Sequence, residues 1–101
     1  MAVNRLFLES AAGEHVAGAN LGPLDGAWPT AHEGGFPLLQ GLDPGGFTLF
    51  NRMQAFGLEE ELSRLRSTIN ITEQRSALDS AINLVRRCQR GEKLYLRFEG
   101  E

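Results

Sequence analysis

Apolar and polar residues alternate near both ends of the chain, and apolar residues recur at helical spacing between residues 57 and 90. Residues 3–8 (VNRLFL) read as a strand. Val3, Arg5 and Phe7 share one face, and Asn4, Leu6 and Leu8 the other. Apolar residues on both faces suit a central strand. Residues 93–99 (KLYLRFE) alternate most cleanly. Leu94, Leu96 and Phe98 point one way, Lys93, Tyr95, Arg97 and Glu99 the other, so one face meets a helical layer and one meets water.

Residues 57–68 predict a helix, with Leu58, Leu62, Leu65 and Ile69 on its apolar stripe. Glu59, Glu60 and Glu61 then fall in its first turn, where carboxylates suit the positive end of the dipole. Glu60 and Arg64 have the favourable i to i+4 order. Residues 73–90 predict a second helix, with Leu78, Ala81, Ile82, Val85 and Cys88 inward. Asn70 or Thr72 is its expected cap and Gly91 its expected left-handed terminator. A connection this short makes the two helices antiparallel neighbours.

Between these elements, residues 10–46 hold nine of the twelve glycines and all four prolines, which excludes a long helix there. A structureless loop of this length is rare in a small domain, so short strands are expected at residues 14–19 and 47–52. Gly34-Gly35-Phe36-Pro37-Leu38-Leu39 echoes Gly45-Gly46-Phe47-Thr48-Leu49-Phe50, and Asp43-Pro44-Gly45 between them signals a turn. A hairpin with Pro37 on its edge arm is the reading this suggests. The whole chain, residues 1–101, then forms a single α+β domain: a small antiparallel or mixed sheet covered by an antiparallel pair of helices.

Composition narrows the classes. With 42% hydrophobic and 23% charged residues among 101, the chain has globular proportions rather than disordered or fibrous ones. No run approaches ~18 apolar residues, so no spanning helix is expected. The start, MAVNRLFLES, lacks the long apolar core of a signal peptide. Cys88 stands alone and has no disulfide partner within the chain. These features point to the cytoplasm and to no membrane association.

The net charge of −3 argues against a general nucleic-acid binder. It is unevenly spread. Residues 1–50 hold Arg5 against five acidic residues, and no Lys or Arg occurs from residue 10 to 51. An ordered, exposed segment of this kind steers basic partners toward itself. Its contact candidates are Asp25, Trp28, Glu33 and Asp43. For Trp28, packing against the core competes with a role as a partner anchor.

Catalytic constellations are missing. His32-Glu33 lacks a second His four residues on. His15, His32 and Cys88 lack metal-site spacing, and no cofactor or metal is expected. Asp43, Asp79 and Glu59–Glu61 are carboxylates without a paired arrangement in sequence, so no enzyme is expected. Arg86, Arg87, Arg90 and Arg97, with Lys93, form a basic cluster. Read functionally it is a phosphate or RNA patch. Read structurally it complements the end of the second helix.

Asp43-Pro44-Gly45-Gly46-Phe47-Thr48-Leu49-Phe50-Asn51-Arg52-Met53-Gln54 resembles a signature of small bacterial proteins, Asp-Pro-Tyr-Gly-Asp-Thr-Val-Phe-Asn-x-Leu-Gln. Leu94-Tyr95-Leu96-Arg97-Phe98-Glu99-Gly100-Glu101 resembles their ending, Leu-Tyr-Leu-x-Phe-x-Gly-Asp. The resemblance spans roughly residues 36–101. Gly45 and Phe47 stand where the pattern has Tyr and Asp. It implies a fold rather than an activity. In size and layout the chain is also similar to immunity proteins of bacterial toxin systems.

The leading expectation is therefore a small acidic binding protein, an immunity protein or antitoxin that occludes a basic toxin. The alternative is an RNA- or phosphate-contacting module using the arginine cluster. A third is a self-associating protein that pairs through an uncovered sheet edge at residues 93–99.

Overall fold

The two most regular alternations in the chain meet at the centre of one sheet. In the computed structural model, which describes residues 2–30 and 32–101, β1 (Val3–Ser10) is flanked by β2 (His15–Asn20) and β4 (Leu94–Gly100). β3 (Phe47–Phe50) pairs with the far side of β4, giving the order β2-β1-β4-β3, antiparallel throughout. Leu6 lies opposite Phe98 and Leu8 opposite Leu96, and all four are buried under the helical layer. The fold is α+β, a four-stranded antiparallel sheet with two long helices packed on one face.

Because β4 lies between β1 and β3, residues 93–99 are not an edge. The edges are β2 and the four-residue β3. β2 carries a bulge at its start, where Leu8 pairs with Ala17 but Glu9 pairs with His15, leaving Val16 unpaired. Shortness and bulging both discourage edge-to-edge pairing.

α1 (Pro37–Gln40) occupies the place expected for a hairpin arm. Pro37 at its first position brings a preset φ and no N–H to satisfy. Phe36 before it offers no side-chain cap. The cap comes instead from α2 (Arg52–Ser67): the buried Glu61 carboxylate accepts from the N–H groups of Leu38 and Leu39 at 3.0–3.1 Å.

α2 starts at Arg52, five residues before the start that the apolar stripe predicts. Asn51 and Gln54 form a reciprocal capping box, each side chain accepting the other's backbone N–H at 3.0 Å. Glu59–Glu61 therefore sit in mid-helix rather than in the first turn. α3 (Thr72–Arg90) begins after Ile71, without a side-chain cap from Asn70 or Thr72. Gly91 after it is extended (φ −95°), and Lys93 takes the positive φ instead. A Cβ on Gly91 would meet the Leu94 side chain, which would have to shift to admit it.

Glu59 bonds Arg86 at 2.8 Å, and Arg66 bonds Asp79 at 2.5 Å. The two pairs run in opposite order along α2 and α3, so the helices are antiparallel. Ala55, Leu58, Leu62 and Leu65 of α2 join Leu78, Ala81, Val85 and Cys88 of α3 in the core beneath Leu6, Leu8, Leu96 and Phe98. Leu21, Leu24, Phe36 and Leu39 close the same core from the glycine-rich region, which is thereby tied down rather than left as a free loop.

Candidate functional site

The segment from Leu21 to Gly46 wraps the end of the sheet where β1 begins and β4 finishes. A tight turn at Gly22–Leu24 buries Leu21 and Leu24 and delivers Asp25 to the surface. Three residues on, Trp28 lies half-buried against the core edge. Both line one open cleft of about 410 Å³, walled by Pro29, Gln40, Leu42 and Pro44. The Trp28 indole N–H is buried and meets no acceptor among the described residues. Gln40 braces the wall: its amide donates to the carbonyls of Thr30 and Glu33 at 2.6 and 2.5 Å.

Asp25 also lines a second groove, of about 290 Å³, which it shares with Glu101. Backbone bonds between Ala2 and Glu101 in both directions hold that residue beside the start of β1. Sequence reasoning missed Glu101 because its place depends on the β1–β4 register. Among the described residues no basic side chain pairs with Asp25, Glu33, Asp43 or Glu101.

Glu33 and Asp43 do not join the cleft. The Glu33 carboxylate accepts from the Thr30 N–H at 3.1 Å. That of Asp43 accepts from the Gly45 N–H at 3.0 Å, while the Asp43 N–H donates to Thr48 Oγ1 at 2.9 Å. Both carboxylates shape their own turns, and only Pro44 of the second turn reaches the cleft wall. That turn is also where the two segments singled out in the sequence meet. The Gly100 N–H donates to the Gly46 carbonyl at 2.8 Å, Phe47 pairs with Glu99, and a Cβ on Gly100 would collide with the Pro44 backbone.

The arginine cluster is dispersed. Arg86 is held by Glu59, and Arg87 and Arg90 are exposed on α3. Arg97 lies on the opposite side of the sheet, bonded to Glu99 at 2.7 Å and stacked 4.1 Å over Phe47. Four guanidinium groups thus never share one surface.

The titratable residues are likewise apart. His15 pairs with Glu9 at 2.6 Å on the outer sheet face and stacks on Phe7. His32 is exposed in the loop, and Cys88 is buried under the sheet. Arg66 beside Asp79 holds that carboxyl below its ordinary value, and Arg86 and Gln89 do the same for Glu59. Burial pushes the Cys88 thiol up, which is the direction of an unreactive cysteine. Among the described residues no three His, Cys, Asp or Glu side chains converge as metal ligands, and no helix is long and apolar enough to cross a membrane.

The chain matches no protein-family model, and comparison with curated proteins and with solved structures finds no match.

Proposed function

We propose that this protein is a small cytoplasmic binding protein without catalytic chemistry, an immunity protein or antitoxin that neutralises a basic toxin by covering it. One observation carries the reading. Asp25 and Trp28 line a single open cleft, Glu101 shares the adjoining groove, and no described cation neutralises either carboxylate. Two unneutralised carboxylates beside a half-buried aromatic suit capture of lysine- or arginine-rich surface. Charges of this kind set approach and orientation, while the aromatic supplies contact area.

Within this reading the contact set changes. Asp25 and Trp28 stay, Glu101 joins them, and Glu33 and Asp43 act by holding the loop that presents them. The arginine alternative draws less support, since its four members lie on two faces of the molecule.

Affinity capture from cells that encode the protein tests this. The expected result is one basic protein, retained at low salt, weakened at high salt, and lost with an Asp25→Lys, Glu101→Lys bait. Loss with an Arg87→Glu, Arg90→Glu bait instead, or recovery of RNA, would contradict the reading.

A further inference from the structure

The cleft beside Asp25 holds two acceptors and one donor that the chain leaves unmatched. Its volume of about 410 Å³ lies at the small end of ligand pockets, room for one long side chain rather than a helix or a nucleic-acid strand. Val3, Leu39, Leu42 and Pro44 give it apolar walls. Asp25 is exposed and makes no ion pair among the described residues. In this it differs from Glu59, Asp79 and Glu99, whose arginines belong to the chain itself.

Gln40 supplies the second acceptor. Its amide nitrogen donates to the carbonyls of Thr30 and Glu33, which fixes how the amide is turned, and its oxygen accepts nothing among the described residues. The donor is the Trp28 indole N–H, buried without an acceptor. Native interiors leave few such groups, and each costs stability until it is paired. Turning the ring toward the cleft breaks no hydrogen bond of the indole and can make one.

We infer that the cleft takes one lysine side chain of the basic partner, together with a main-chain carbonyl of the segment that carries it; this rests on the reading proposed above. The four-carbon stem lies along the apolar walls, the ammonium meets the Asp25 carboxylate and Gln40 Oε1, and the carbonyl accepts from the Trp28 N–H. Glu101 in the adjoining groove adds negative potential to the approach.

Other occupants leave a group unmatched. A phosphate or carboxylate would be set against Asp25. An apolar side chain would strip water from that carboxylate and give it no partner. The guanidinium of arginine holds five donors in a rigid plane and needs acceptors all around it, whereas an ammonium has three that rotate to meet Asp25 and Gln40. A free alkylamine satisfies Asp25 but brings no carbonyl to the indole.

An amide-detected NMR titration of the isotope-labelled full chain with Nα-acetyl-lysine N-methylamide at low salt tests the inference. Trp28 is the only tryptophan, so its indole N–H gives one unambiguous signal. The lysine probe should saturate on the order of 1 mM and move the indole proton downfield. The norleucine counterpart, with the same stem and no charge, should bind roughly tenfold more weakly. Asp25→Asn should remove that preference, and Asp25→Ser serves if the first variant fails to fold. n-Butylammonium should bind more weakly than the lysine probe and leave the indole proton in place. Equal affinity for the lysine and norleucine probes would overturn the inference, as would a preference that survives both substitutions. A tighter arginine probe would overturn it in favour of a guanidinium, and n-butylammonium as tight as the lysine probe in favour of a free amine. A captured basic protein that binds where the lysine probe does not would remove this inference and leave the broader reading standing. A lysine probe that binds where no basic protein is captured would uphold the lysine site and remove the antitoxin reading.

Discussion

Glu61 in the middle of α2 bonds the backbone N–H of Leu38 with both carboxylate oxygens, at 3.1 Å each. A carboxylate this buried persists only when its acceptors are used, and here the donors are the open N-terminus of α1. The contact spans 23 residues of chain and pins the loop that carries the cleft wall. Glu61→Ala should cost about 2–3 kcal/mol in urea unfolding. Amide exchange at Leu38 and Leu39 should accelerate with it. A loss under about 0.5 kcal/mol, the size of an ordinary surface change, would contradict this role.

Gly100 is the point where the last strand passes the Asp43–Gly46 turn. An added methyl there meets the Pro44 backbone, which cannot swing aside as a side chain would. Gly100→Ala should therefore destabilise by about 1–3 kcal/mol, as overpacking does. Gly34→Ala, where nothing lies within 4 Å, is the control and should be near neutral. Equal melting temperatures for the two variants would count against the close approach.

How much of this was legible beforehand depends on the range of the forces involved. The alternations of β1 and β4 and the stripe of α3 are local patterns, and the structure follows them. α1 was hidden because its cap arrives from Glu61, far along the chain. The start of α2 is written in Asn51 and Gln54, three residues apart, whereas the apolar stripe begins only at Leu58. Alternation reports faces and not neighbours, so it leaves residues 93–99 open to being an edge; only the pairing of β3 makes β4 central. Asp25 stood out by charge alone. Glu33 and Asp43 looked equivalent to it, and differ because each has a backbone N–H within reach of its own turn.

Acid should loosen the helical pair. Glu59, bonded to Arg86 and Gln89, titrates below the ordinary 4.5. As pH falls the unfolded chain takes up this proton first. The contribution of Glu59 is therefore complete above about pH 4.5 and is lost as pH drops through the lowered folded value. Urea midpoints measured from pH 7 to pH 3 should fall less steeply for Glu59→Gln than for wild type. Parallel curves would show that the carboxylate is not linked to folding.

Cys88 reports the integrity of the core. It has no solvent exposure, and its thiol lies 3.5 Å from the Leu94 carbonyl. Reaction with a disulfide reagent should be about 100-fold slower in the native protein than in urea, because it must wait for opening. Equal rates would place the thiol at the surface.

The central claim is that the Asp25 end of the molecule meets a basic partner, and its most direct measurement is the association rate with the captured protein as salt is raised. Wild type should associate fast at low salt and slow steeply as salt increases. Asp25→Lys with Glu101→Lys should lower the low-salt rate by about tenfold, flatten the salt dependence and leave dissociation nearly unchanged. An association rate that is the same for both proteins at every salt concentration would contradict the claim.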